Sequence, residues 1–481
     1  MTWVETFWTL VKILLMVGFL FNVGAVLTWV DRRQSAMIQD RIGPNRAVIK
    51  VFGIELRLGG LLHTAADGVK FFFKEDFMPP NADRLLFSLA PMLAMMPVLA
   101  LLAVIPFGDI VDPTALWRTV CVGPTGHALT FDHGQCFDAA HAAAQGVPTL
   151  IFPAVPRFGS PLASTNPIDL LVAPLDIGIL YVFALAGQGI IGAAIAGWSS
   201  DNKFSLMGGL RAASQMVSYE VTMGLSLVGA MMLYGTVRLD DMVRWQGDNA
   251  WGIFAQPVAF VVFFAASVAE NKRIPFDLPE AESELVSGYF TEYSGMKFGM
   301  FYFAEYMEVV SSSMLLVTIF LGGWQLPWLH RDGITIAFGT STVFHMLMPH
   351  IWVTIFQVLA FFGKVLFICF LQAFVRWSLP RFRYDQLMKI GWRVLLPASL
   401  ANIFATGTLI LAFDRAGVMA QGGIRVAADV TQALVLFGIV ALGVVVVVGM
   451  AKPMKRSRWI VGSSAKFAMA RGGTKQAPMQ A

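Results

Sequence analysis

Six carboxylates fall between Glu270 and Glu292, and only Lys272 and Arg273 oppose them. The stretch runs Ala269-Glu270-Asn271-Lys272-Arg273-Ile274-Pro275-Phe276-Asp277-Leu278-Pro279-Glu280-Ala281-Glu282-Ser283-Glu284-Leu285, and Tyr289, Glu292 and Tyr293 follow. Like charges this close cannot all ionise in a poorly hydrated site, so some of them hold protons near neutral pH. Such a cluster stores protons and gives them up in coupled steps. On an exposed loop the same residues are an ordinary solvated acidic patch. The next apolar stretch tips the balance toward chemistry. Glu305 and Glu308 are three apart, on one helical face, roughly 15 Å into a helix that rises about 1.5 Å per residue. Glu220 falls two turns, about 10 Å, inside an earlier apolar stretch. Its structural reading is an ion pair made for packing with Arg211; its functional reading is a place in a carboxylate line. A proton relay needs such groups in series. Lys364, in a later apolar stretch, is the expected basic partner of these acids.

These side chains need elements that cross an apolar medium. The chain has 481 residues, 56% of them hydrophobic and 14% charged. A soluble domain carries roughly 25% charged residues, so lipid is the expected solvent, and the fold expected is an all-α bundle of transmembrane helices. Nine stretches are long enough to span: 4–30, 84–107, 169–196, 214–235, 251–269, 296–323, 344–375, 393–413 and 431–451. The first is too long for a signal peptide and lacks a small-residue cleavage site, so it reads as a retained span. With the N-terminus outside, the inner segments hold 26 Lys and Arg against 7 in the outer loops. That asymmetry sets the orientation and puts the C-terminus, with its basic tail from Lys452 to Lys475, in the cytoplasm against lipid. A core over 1–413, carrying a long outer loop at 108–168, is followed by a further span and tail over 414–481.

The inner segments are dense in polar residues and turn signals. Gly43-Pro44-Asn45 is a turn, because Pro fixes one dihedral and Gly and Asn tolerate unusual ones. From Gly59 to Glu75, Leu61, Leu62, Ala65, Ala66, Val69, Phe72 and Phe73 recur at helical spacing. This predicts an amphipathic interfacial helix ended by Pro79-Pro80, with Asp67 and Lys70 paired on its polar face. Five basic residues between Arg376 and Arg393 form either a topology anchor or a clamp for an acidic surface. In the outer loop, Cys121 and Cys136 are candidates for a disulfide. Two free thiols, or a metal site with His127, His133 and His141, are the other readings; the spacing matches no familiar zinc pattern, and no metal site is assigned.

Taken in order, these segments resemble the quinone-site membrane subunit family (the H subunits) of respiratory complex I, the proton-translocating NADH:quinone oxidoreductase. The resemblance rests on Gln39, Arg41 and Gly43-Pro44-Asn45; Ala66-Asp67-Gly68-Val69-Lys70 with Lys74-Glu75; Ala196-Gly197-Trp198 through Asn202-Lys203; Leu210-Arg211-Ala212 through Ser218-Tyr219-Glu220; Ala269-Glu270, Arg273 and the run from Pro275 to Val286; Glu292 to Gly295; Ala304-Glu305-Tyr306; and Leu379 to Asp385. It covers roughly residues 20 to 400, and the long acidic motif is its most specific part.

The resemblance implies a membrane subunit of the bacterial inner membrane, seated under the peripheral arm. Partners would be the peripheral-arm quinone-site and iron–sulfur subunits and the neighbouring small and antiporter-like membrane subunits. Quinone would be the substrate, with FMN and iron–sulfur clusters held by partners. It assigns Arg32, Asp67, Lys70, Arg273, Asp277, Tyr289 and Tyr293 to the quinone chamber. Arg211, Glu220, Glu270, Glu280, Glu282, Glu284, Glu292 and Glu305 go to a proton relay, to which Glu308 is added from its spacing. Asp31 stands where the family has Glu. The 108–168 loop is longer than the family needs, and the ninth span extends beyond an eight-span core.

The chain itself has no Cys cluster for iron–sulfur, no haem ligand pair and no dinucleotide fingerprint, so catalysis by this chain alone is not expected. Nothing in the charge pattern points to nucleic acid. The alternatives are the homologous subunit of a membrane-bound hydrogenase and, in another class, a stand-alone proton or cation transporter. The transporter predicts internal repeats, and the sequence shows none.

Overall fold

In the computed structural model, the described residues are 3–111 (save 42, 45, 52–53 and 57), short strand segments within 121–138, 168–279, 286–416 (save 331–332 and 339–340), and a few between 430 and 438. The chain divides into two compact units, residues 1–432 and 433–481. Most of the expected span at 431–451, and the basic tail, lie outside the described residues.

Seven helices among the described residues are long and apolar enough to cross a membrane: Thr6–Ile38, Arg84–Val104, Gly178–Ser199, Lys203–Tyr234, Gly295–Phe320, His350–Ser378 and Tyr384–Ala412. The expected span at 251–269 is the shorter apolar helix Pro257–Glu270, preceded by a single turn at Gly252–Ala255. Most of these helices expose apolar side chains outward. Gly295–Phe320 is the exception, with Ala304, Glu305, Tyr306, Met307, Val309, Val310 and every residue from Ser313 to Phe320 buried. A helix buried on all sides is the axis of the bundle.

Several boundaries differ from the sequence expectation. The fourth span begins at Lys203, not 214, because the Asn202 side chain accepts from the Phe204 N–H and caps the helix there. Arg211 is therefore helical, and Glu220 lies 17 residues in, about 25 Å along the axis at 1.5 Å per residue. The third span begins at Gly178 rather than 169, and residues 344–347 belong to the strand Ser341–Leu347 rather than to a helix. The interfacial helix is Leu62–Phe73; it ends with Lys74 in extended backbone, six residues before Pro80. Strand Ile110–Val111 pairs antiparallel with Ile168–Asp169, which closes the 108–168 loop at its base.

Glycine sets one close approach that matters for the site. A methyl group at Gly208 would lie 2.7 Å from the Gly288 Cα and from the Tyr289 N. Only a hydrogen there lets the 288–290 turn sit directly on the Lys203–Tyr234 helix.

Candidate functional site

The buried Gly295–Phe320 helix presents Glu305 and Glu308 on one face, as their spacing predicts. The segment after the Pro257–Glu270 helix folds against that face. Gln215 holds it there, donating to the carbonyls of Ala269 and Phe276 at 2.7 Å each. Phe382 adds a backbone bond to the Pro275 carbonyl at 3.0 Å.

A cavity of about 70 Å³ lies between these elements. Its polar lining includes Glu270, Asn271, Lys272, Tyr289, Glu305 and Glu308, with Ser311 and Ser312, and its apolar lining includes Met216 and Met223. A water needs roughly 10–15 Å³ of such space and two or more polar partners, so this is a chamber for a few waters. Tyr289 donates to Glu305 Oε1 at 3.3 Å, and Lys272 Nζ lies 3.4 Å from Glu308 Oε2. Burial alone would lower the Lys272 pKa, but Glu308 and Glu305 more than offset it and hold the ammonium above its ordinary value.

A second, smaller cavity of about 20 Å³ lies beside the first and is lined by Asp31, Arg273, Tyr306, Gln372 and Arg376 among others. Here Asp31, 8% exposed, is the hub. Arg376 pairs with its Oδ2, Arg273 Nη1 lies 3.5 Å from the same atom, and the Tyr306 hydroxyl donates to it at 2.9 Å. The Arg273 guanidinium stacks 3.9 Å over the Tyr306 ring, and its Nη2 is 4.0 Å from Glu305 Oε2. Arg273 therefore faces the carboxylates of both cavities. Burial works against its charge, yet Tyr306, Glu305 and Asp31 together raise its pKa further.

Asp277 forms a third buried pair. Arg381 Nη2 donates to its Oδ2 at 2.8 Å, while its Oδ1 has no hydrogen-bond partner among the described residues. Burial raises the Asp277 pKa to about 6 against the pull of Arg381.

Of the residues singled out from sequence, Glu270, Tyr289, Glu305 and Glu308 share the larger cavity, with Arg273 beside it. Tyr293 is packed flat on Phe87 and shares a hydrogen bond of 3.4 Å with Ser199. Glu292 accepts from Asn202 at 2.6 Å, away from the cavity lining. Glu220 lies one turn from both Met216 and Met223 on the helix that walls the cavity. No cation stands within ion-pair distance of it among the described residues, and Arg211 lies instead over the Tyr384 ring at 5.9 Å. The packing pair between Glu220 and Arg211 does not form.

The expected Asp67–Lys70 pair does not form either. Asp67 turns to Arg32, with Nη2 to Oδ2 at 2.6 Å, on a partly exposed surface, and Lys70 lies 5.9 Å from the Phe71 ring. Lys364 is not a partner of the acids. It donates to the carbonyls of Leu321, Gly323 and Gln325 at 2.7, 3.0 and 2.5 Å, tying down the cap and the turn that follow the buried helix. Glu280, Glu282 and Glu284, and the side chains of Cys121 and Cys136, lie outside the described residues.

Asp31 and Tyr306 receive no role from the sequence alone, and Arg376 is read there only as one of five basic residues forming a topology anchor or a clamp for an acidic surface. One available signal was a carboxylate at the inner end of a long apolar stretch, since such a charge needs a buried partner.

Known proteins resemble this chain over most of its length. A family model described as NADH dehydrogenase matches residues 11–124 and 133–407. The first of the NADH-quinone oxidoreductase H subunits of Cytophaga hutchinsonii is 38% identical over 403 residues, covering 83% of this chain and 96% of that protein. The NADH-quinone oxidoreductase H subunit of Flavobacterium johnsoniae is 37% identical over 392 residues, covering 82% and 92%. The second such H subunit of Geobacter metallireducens is 37% identical over 401 residues, covering 83% and 94%.

Proposed function

The chain belongs to the family of NADH-quinone oxidoreductase H subunits, and from that premise we propose that its buried carboxylates relay protons in response to quinone reduction. It is a multi-pass membrane subunit of the bacterial inner-membrane oxidoreductase, and its redox chemistry takes place in the assembled complex.

The observation that carries the relay is the shared cavity. Glu270, Glu305 and Glu308 come from two helices and meet on one chamber with room for water. Carboxylates that share a few waters exchange protons readily, while apolar walls such as Met216, Met223 and Phe263 keep bulk water out. Glu220 extends the line along the Lys203–Tyr234 helix toward the middle of the bundle. Glu280, Glu282, Glu284 and Glu292 are its collecting end, and Arg211 tunes the approach to it.

The quinone chamber is proposed at the end of the bundle that carries the 271–294 segment. Its polar groups are Arg32, Asp67, Lys70, Arg273 and Asp277, with Tyr289 and Tyr293 behind them. FMN and iron–sulfur clusters on the peripheral-arm subunits deliver the electrons, and the small and antiporter-like membrane subunits receive the protonic signal. Reduction of a quinone near Arg273 adds negative charge beside a guanidinium already shared by Asp31 and Glu305. The weakened hold on Glu305 then favours its protonation through the chamber water.

The test is Glu270→Gln in membranes carrying the assembled complex. Proton translocation per NADH oxidised should fall, while electron entry measured with ferricyanide is retained. Unchanged translocation would remove the relay.

A further inference from the structure

The larger cavity contains a cation that a line of carboxylates does not require. Lys272 follows Glu270 by two residues, is 8% exposed, and lines the same chamber as Glu270, Glu305 and Glu308. Its backbone is left-handed, with φ 53°, a conformation that side chains other than Gly and Asn rarely adopt. That turn sends two consecutive cations to different places: Lys272 into the larger cavity and Arg273 to Asp31.

We propose that the Lys272–Glu308 ion pair is a gate in the carboxylate line, with the ammonium moving between Glu308 and Glu270 as a proton passes the other way. The proposal rests on the relay reading above. In the closed state the ammonium neutralises Glu308 and Glu270 carries the proton. On opening, the Glu270 O–H bond breaks and its proton crosses the cavity water to an oxygen of Glu308. Lys272 shifts to the carboxylate that Glu270 has become. One O–H bond breaks, one forms, and the charge of the chamber is unchanged. Neither state leaves an unpaired anion in an apolar wall, which is the costly alternative.

Three observations support a gate over a fixed strut. The Lys272–Glu308 separation of 3.4 Å is longer than the roughly 2.7–2.9 Å of a tight charge-assisted bond, whereas Arg381 to Asp277 is 2.8 Å. The ammonium sits on a flexible four-carbon stem beside open volume, and a planar, forked guanidinium would not pivot as freely. No cation lies within ion-pair distance of Glu270 among the described residues, although the residue lines the same cavity as Lys272 and is 8% exposed.

The experiment compares Lys272→Met, Lys272→Arg, Glu308→Gln and the Lys272→Met/Glu308→Gln double variant in membranes with the intact complex. Protons translocated per NADH oxidised are measured, with ferricyanide reduction as the index of assembly. Lys272→Met and Glu308→Gln should each lower translocation about a hundredfold, the lower end of the roughly 10²–10⁴-fold that a positioned proton carrier contributes. The double variant should be no worse than either single one, since both remove one interaction. Lys272→Arg should recover part of the loss. Should Lys272→Met fail to assemble, Glu308→Gln and Lys272→Arg still read the pair. Wild-type translocation in Glu308→Gln, or losses that add in the double variant, would overturn the gate. Glu270→Gln separates the levels. If it abolishes translocation while the Lys272 and Glu308 variants are silent, the gate alone is wrong; if it is silent too, the relay is wrong.

Discussion

The Tyr306 hydroxyl donates to Asp31 Oδ2 at 2.9 Å, tying the first helix to the fully buried one across 275 residues of chain. The same oxygen carries the charge of Arg376 and lies 3.5 Å from Arg273. A single carboxylate therefore faces two guanidinium groups, one of which, Arg273, it shares with Glu305.

Removing that carboxylate leaves Arg376 without an ion-pair partner among the described residues and Arg273 with Glu305 alone. Asp31→Ala should destabilise the assembled protein by about 3–5 kcal/mol, the cost of breaking a buried pair from one side. Tyr306→Phe removes one hydrogen bond to a charged group and should cost about 1.5–3 kcal/mol. Thermal inactivation of quinone reduction in solubilised complex measures both. If Asp31→Ala proves the milder of the two, Asp31 is not the hub.

Asp277 makes a pH-dependent contribution with an unusual sign. Its pKa in the fold is about 6 against an ordinary 3.8, so between those values the folded chain binds more protons than the unfolded one. Stability contributed by this group is therefore present at low pH and is lost as pH rises from about 4 through 6. In infrared difference titration, a protonated carboxyl band should vanish with a midpoint near 6 and be missing from Asp277→Asn. A midpoint below 4 would place Arg381 in control instead of burial.

Lys364 serves architecture, and its variants should show it. Lys364→Met leaves the carbonyls of Leu321, Gly323 and Gln325 without their shared donor at the end of the buried helix. An unsatisfied buried group costs about 1–3 kcal/mol. The thermal midpoint should drop, while protons moved per electron in the surviving complex stay at the wild-type ratio. A changed ratio at normal stability would return Lys364 to the proton path.

What the sequence made legible follows its physics. Hydropathy over windows of about 20 residues located most of the crossing helices, because the solvent demands that composition. The three-residue spacing of Glu305 and Glu308 placed both on one wall of the cavity, since helix geometry depends on local spacing alone. The segment 203–213 read as a loop because it holds Lys203, Arg211 and several small residues. In the fold those small residues are the contact surface: Gly208 and Gly209 admit neighbouring backbone that a Cβ would repel. The partners of Asp31 were illegible for another reason. They stand 275 and 345 residues away, and nothing local says which residues balance a carboxylate at the end of an apolar stretch.

Glu220 gives the sharpest separation of stability from function. It sits about 25 Å along its helix, and it makes no ion pair among the described residues. Glu220→Gln is nearly isosteric, so its effect on stability should stay within about 0.5 kcal/mol. Translocation should nevertheless fall, because an amide cannot pass a proton on. The Gly187 position offers a second approach from the opposite helix. A methyl there would stand 3.5 Å from Glu220 Oε1, in ordinary contact, narrowing the space open to water at the carboxyl without touching its chemistry. Gly187→Ala should therefore slow proton transfer less than Glu220→Gln does, and solvent deuterium should slow it more than in the wild type. If Gly187→Ala equals Glu220→Gln in translocation while thermal stability collapses, the glycine is needed only for packing, and hydration of Glu220 plays no part.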